Sequence, residues 1–228
     1  MVTILQIETA TQVCSAALSV DGETIALKEL AAQNIHAGSL TLFIEEVMSS
    51  AGLSYQDLDA IAVSKGPGSY TGLRIGVSTA KGLCFALDKP LIGIDTLKMM
   101  AKGFLNADKS YTGLVCPMID ARRMEVFTSL YSTNLSEVLP VSAKIIDEAS
   151  YQDELAASQI TFIGDGAAKC QTSIVSSNAL FSDLNYNSAA NMSGLAYEAF
   201  NNNNFEDVAY FEPYYLKDFV ITAAKKKV

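Results

Sequence analysis

Histidine is nearly missing from this 228-residue chain: His36, in QNIHAG, is the sole one. A Ser-His-Asp triad, or a metal site built on two imidazoles, has to be tested against that count. His36 lies in a polar stretch ahead of a helix, with the nearest acids some way along it, and is expected to be exposed or capping. Paired cysteines are lacking too. Cys14, Cys84, Cys116 and Cys170 lie far apart among apolar or small neighbours, with no C-x-x-C, which points to buried, reduced thiols in a cytoplasmic protein. Half the residues are hydrophobic, yet no apolar run approaches the roughly 18–20 residues that span a bilayer. The opening MVTILQIETA has no basic stretch and no small-residue cleavage pattern, so a buried strand is expected there. A net charge of −9 argues against a chain that grips nucleic acid by charge alone. The basic AAKKKV at the end reads as a solvated tail.

What is present alternates strand and helix. ILQIET, VCSAALSV and TIALKEL read as strands, the last two joined by Asp21-Gly22, a strong hairpin signal. From Ser39 the period changes: Leu40, Phe43, Ile44, Val47 and Ala51 form a helical stripe stopped at Gly52. AIAVS is a buried strand, 71–87 is helical, LIGI is a strand, and Asp95 is placed to cap a helix through about Asn106. The second half restarts in the same manner. GLVCPMIDA, RRMEVFTSLY and VSAKIID read as strands, followed by a helix near 151–158, the strand ITFIGDG, a helix from Ala167 and another over 188–203. A strand meander followed by helix–strand alternation, given twice, predicts an α/β protein of two related lobes, 1–108 and 109–228.

The segment SKGPGSYTGLRIGVSTAKGLCFAL (64–87) carries the most specific signal. Glycines ahead of a helix cradle phosphates, shape tight turns, or let elements approach closely. It is not a P-loop, for no lysine stands where one is needed, and Gly66, Gly68 and Gly72 are out of step with G-x-G-x-x-G. Loop amides at Gly66, Gly68 and Ser69, with Arg74 in support, remain candidate phosphate contacts. Gly164 and Gly166, opening the expected helix after ITFIGDG, are the second candidate pair. On the helix, Leu73, Val77, Ala80, Cys84 and Leu87 form one stripe. Gly72, Ile75, Gly76, Thr79, Leu83 and Ala86 form a second, small and apolar face. Together they exceed the arc that a helix on a sheet has to hide. Either the helix is enclosed in its own lobe, or the glycine-bearing face meets a partner helix.

ILQIETA, the glycine segment, PLIGIDTL, MIDARRMEVF and PYYLKDF together resemble the TsaB (YeaZ) family over nearly the whole chain. The resemblance implies an actin/Hsp70-like ATPase fold in two lobes. It also implies a non-catalytic partner of TsaD, working with the ATPase TsaE to place threonylcarbamoyl on the adenosine beside the anticodon of tRNAs reading codons that begin with A. TsaD, the catalytic paralogue, carries H-x-x-x-H after the strand that follows its glycine helix, and the pair can share a metal. Thr96 and Met100 occupy those positions here, and neither replaces an imidazole.

The expected docking surface comprises Leu42 and Met48 on the first helix, with Gly72, Ile75, Gly76, Thr79, Leu83 and Ala86 on the glycine helix. No cofactor or metal is expected to be required, and at most a weak ATP or ADP contact at a subunit interface. A homodimer is the expected alternative pairing, tRNA is expected to be reached only through the complex, and no membrane is involved. The competing reading is an autonomous enzyme of the fold, a phosphotransferase or a glycoprotease-like peptidase. It is weakened by Glu8-Thr9-Ala10-Thr11-Gln12, which lacks glycine, and by Asp120-Ala121-Arg122-Arg123, where bulky residues stand in the second turn.

Overall fold

The computed structural model describes residues 1–32 and 35–217. Strands β1 (Thr3–Glu8), β2 (Val13–Val20) and β3 (Glu23–Ala31) form an antiparallel meander. Its second turn is Asp21-Gly22, with φ of 49° and 85°, the left-handed pair that a two-residue hairpin requires. Helix α1 (His36–Ser50) follows, then β4 (Ala60–Gly66), α2 (Tyr70–Leu87), β5 (Leu91–Asp95) and α3 (Thr96–Ala107). β4 pairs parallel with β1 and β5 with β4, giving the sheet order β3-β2-β1-β4-β5.

The second sheet repeats that plan. β6 (Leu114–Asp120), β7 (Glu125–Tyr131), β8 (Glu137–Ile145), β9 (Ile160–Ile163) and β10 (Ala179–Phe181) lie in the order β10-β9-β6-β7-β8. β9 runs parallel to β6, as β4 does to β1. Helices α4 (Gln152–Ala157) and α5 (Ser193–Asn201) belong to this half of the chain. The twice-given meander of the sequence is thus two lobes of one topology.

Alternation along the strands sorts the cores. Leu5 and Ile7 of β1 face α1 and α2, where Leu40, Ile44, Val47, Val77 and Ala80 bury them. Ile4, on the opposite face, joins α3, Val115, Ile119, Tyr131 and Ile163 in a core between the lobes. A third core lies under α4, on the far side of the second sheet.

Five sequence expectations are corrected. The helix expected from Ala167 is a single 3-10 turn, Ala168–Cys170, and that expected over 188–203 opens with a 3-10 turn, Ala189–Met192, before α5. His36 is buried, with Nε2 3.2 Å from the carbonyl of Val13. Asp95 holds the N-cap position of α3 but makes no capping bond, because its carboxylate turns to Lys65 at 3.4 Å. The lobes also do not divide the chain at one point. α5 packs on β1, β3 and β5, and the Glu206 amide donates to the Leu91 carbonyl (2.8 Å), so the end of the described chain returns to the first lobe.

Candidate functional site: the glycine loop and its helix

β1 delivers Glu8, Thr9 and Ala10 fully buried to the mouth of the meander, directly under the start of α2. Ser69 caps that helix: its Oγ accepts from the Gly72 amide at 3.2 Å. The Ser69 amide donates to the Ala10 carbonyl (2.6 Å), and Thr9 Oγ1 donates to the Gly72 carbonyl (2.8 Å). A Cβ added at Gly72 would stand 2.0 Å from the Thr9 carbonyl oxygen, and one at Gly76 would stand 2.2 Å from Thr9 Oγ1. At Gly68 the obstacle is the Ala10 carbonyl, and at Gly66 it is the Tyr214 carbonyl. These glycines therefore let the chain's own segments meet.

That geometry corrects two expectations. Gly72 and Gly76 are buried against Thr9 and present no face to a partner helix. At Gly66, Gly68 and Ser69 the loop closes on its own chain, and the Ser69 amide is already spent on Ala10, so that amide is not free for a phosphate. Met48 is corrected as well, lying in the core beneath α1. Leu42 and Ala86 are exposed, Ile75, Thr79 and Leu83 half-buried. Sequence reasoning missed Phe85, which is 87% exposed in the last turn of α2. Its position off the buried stripe was readable, but its rank among apolar side chains was not.

Arg74 stands over the Tyr70 ring at 4.5 Å, and its Nε donates to the Tyr215 hydroxyl at 3.2 Å. Tyr215 belongs to the returning segment, held also by Lys81 on the Phe211 carbonyl (2.9 Å) and by the Tyr214 amide on the Lys65 carbonyl (2.6 Å). An open cleft of about 540 Å³ beside it is lined by Lys65 and by Asp95, Glu206, Asp207 and Glu212. One cation among four carboxylates suits no phosphate.

In the second lobe, the Gly166 amide donates to the Met118 carbonyl (3.0 Å), and a Cβ at Gly164 would meet Met100 Cε and the Met118 carbonyl at 2.5 Å. This pair, too, serves close packing. Asp165 Oδ1 accepts from the Asp120 amide (3.0 Å), and burial raises its carboxyl pKa. Lys169 pairs with Asp120, while Arg122 and Arg123 are exposed. The basic run Lys225–Lys227 lies outside the described residues.

Thr96 and Met100 are both fully buried in the core between the lobes. Among the described residues, no three His, Cys, Asp or Glu side chains converge as a metal site would need. The four cysteines are free and buried, and burial pushes the Cys84 and Cys116 thiols up to about 12. Glu8 is the exceptional carboxyl. Complete burial raises it to about 7, against the Ala10 amide on Oε1 (2.5 Å) and the nearby Ser64 hydroxyl, both of which favour the anion.

A family model described as TsaD, tRNA N6-adenosine threonylcarbamoyltransferase, matches residues 29–226. The solved structure of YeaZ from Pseudomonas aeruginosa superposes with a TM-score of 0.82 at 26% identity, covering 95% of this chain and 100% of that one. The Haemophilus influenzae protein named tRNA threonylcarbamoyladenosine biosynthesis protein TsaB is 39% identical over 127 residues, 56% of this chain and 52% of that protein. The chain belongs to the TsaD family, in its TsaB (YeaZ) branch. It spans about half the length of the curated TsaB relatives it matches, 52–60%. The activator of 2-hydroxyisocaproyl-CoA dehydratase from Clostridium difficile, at 10% identity, 89% of this chain, 96% of that one and a TM-score of 0.51, shares the fold alone. This chain thus has the two-lobed actin/Hsp70-like ATPase fold. No described helix is long and apolar enough to cross a membrane.

Proposed function

We propose that the chain is a non-catalytic subunit in the synthesis of threonylcarbamoyladenosine in tRNA. In this reading it supports a TsaD-like subunit, which transfers threonylcarbamoyl from threonylcarbamoyl-AMP to the adenosine beside the anticodon. The observation that carries the reading is the burial of Thr96 and Met100. Where the catalytic paralogue places two imidazoles, this chain places a fully buried hydroxyl and a thioether packed into the core between the lobes. The names of the TsaB relatives and the TsaD family model support the pathway.

Docking falls to the outer faces of α1 and α2, through Leu42, Ile75, Thr79, Leu83, Phe85 and Ala86. Leu42 and Phe85 are large apolar side chains left 59% and 87% exposed on these two adjoining helices, the kind of anchor that dominates an interface. A second copy of the chain occupies the same face when the partner is missing, and a TsaE-like ATPase completes the assembly. The role needs no cofactor. Any weak ATP or ADP contact belongs at the subunit boundary, near Arg74.

The direct test is transfer itself. Given threonylcarbamoyl-AMP and tRNA, the chain alone should form no modified adenosine and should stimulate a TsaD-like subunit; product from the chain alone would refute the reading. Elemental analysis after dialysis against chelator should find no stoichiometric zinc or iron. One retained metal per chain would restore a catalytic centre. The chain alone should also bind tRNA only non-specifically at physiological salt, in the range of about 10⁻⁴–10⁻⁶ M expected of purely ionic contacts. Nanomolar binding without a partner would contradict this.

A further inference from the structure

Among the described residues, every buried side-chain oxygen or nitrogen without a protein partner falls on five side chains: Gln6 Oε1, Glu8 Oε2, Ser64 Oγ, Thr96 Oγ1 and both ends of the Asn187 amide. They are not scattered. Ile4, Gln6 and Glu8 share one face of β1 by alternation, and Ile4 belongs to the core between the lobes. Ser64 is the register partner of Ile94, in the same core. Thr96 opens α3, whose Leu97 and Met100 fill that core. Asn187 lies between Tyr186, also of that core, and Ala189, whose amide donates to Ser15 Oγ at 3.0 Å. Ser15 is in turn the register partner of Glu8. A polar seam therefore runs along the inner face of the first sheet, with each of these side chains at most 3% exposed.

Leaving a buried polar group unpaired is costly, and native proteins meet that demand with ordered water. The Ser64 hydroxyl lies within reach of Glu8 and favours its ionised form, but not in the geometry of a direct hydrogen bond. A polar contact of that kind is where a bridging water belongs.

We infer that the seam between the lobes is a hydration site, in which ordered water bridges Glu8 Oε2 to Ser64 Oγ and extends to Thr96 and Asn187. Glu8 Oε1 fixes the Ala10 amide, and the Ala10 carbonyl receives the Ser69 amide that starts α2. The hydrated acid thereby helps hold the turn on which the docking helix rests. The groups facing it leave it without a cation. From β2 comes its register partner Ser15, while the Cys14 thiol, on the other face of the sheet, is raised by burial and by the charge of Glu8. Glu29 of β3 stands behind Ser15 and accepts from Ser188 at 2.6 Å. Lys65 at the end of β4 is engaged by Asp95 of β5.

Crystals of the full chain, diffracting well enough to order internal water, test the site directly. Water should lie within hydrogen-bond distance of both Glu8 Oε2 and Ser64 Oγ. In the infrared spectrum at about pH 6, a protonated-carboxyl C=O band should be present in the parent and lost in Glu8→Gln. If Glu8→Gln fails to fold, Ser64→Ala should keep that band but shift its frequency, since the hydroxyl end of the bridge is gone. A dry seam whose side chains pair directly, or an ionised Glu8 at that pH, would overturn the inference.

Discussion

Gly72→Ala should lower the melting temperature of the lone chain by roughly 6–12 °C, before any partner is added. The added Cβ would fall 2.0 Å from the Thr9 carbonyl oxygen, and a backbone atom cannot swing aside. Overpacking of this kind costs about 1–3 kcal/mol and occasionally more, and ~3 kcal/mol moves a domain of this size by roughly 6–12 °C. Gly76→Leu should behave alike, through Thr9 Oγ1 at 2.2 Å. This reverses the order expected of a glycine face turned to a partner, where assembly would suffer before folding. Gly82→Ala is the internal control. Its Cβ would meet nothing within 4 Å in the same helix, so the change should stabilise by about 0.5–1 kcal/mol. Thermal melts of the three variants decide the matter. A Gly72→Ala chain that melts like the parent yet no longer binds its partner would return that face to the interface.

The second large effect concerns pH. Glu8 is raised from 4.5 to about 7 in the folded protein, with burial the leading cause. The folded state therefore holds this proton more tightly than the unfolded chain does. The stability it contributes is present in full below about pH 4.5 and is lost as pH rises through about 7. At ~1.4 kcal/mol per pH unit, the loss over that window is about 3 kcal/mol. Denaturant melts of the parent and Glu8→Gln across the window should diverge by that order, with the parent losing more on the way up. Parallel curves would show that Glu8 titrates as an ordinary surface carboxyl. The comparison isolates Glu8 from opposing groups such as Asp57, whose carboxyl is lowered by hydrogen bonds from Ser54.

Much of the fold was legible because its signals are local. Asp21-Gly22 declared the hairpin, the stripe from Leu40 declared α1, and the repeated strand meander declared two lobes of one topology. What stayed hidden depends on distant partners. Gly72 and Gly76 share the small face with Ile75 and Thr79, and only the arrival of Thr9, sixty-three residues upstream of Gly72, turns the first two inward. Met48 lies on the same helix as exposed Leu42, yet the adjoining sheet buries it. The return of Tyr214 and Tyr215 to the first lobe left no mark that periodicity could detect. Glu8 drew notice only as a turn without glycine, and its burial needed the sheets themselves.

The account turns on whether the outer faces of α1 and α2 dock a TsaD-like subunit. The measurement that tests this most directly is the mass of the complex formed when the chain is mixed with the TsaD-like protein of its own organism, for the parent and for Leu42→Glu with Phe85→Glu. The parent should form a complex of defined mass containing both proteins. The double variant should melt like the parent and bind at least about 30-fold more weakly, as loss of a buried anchor worth about 2 kcal/mol or more requires. A double variant that assembles with undiminished affinity, or a parent that forms no complex at all, would contradict the account.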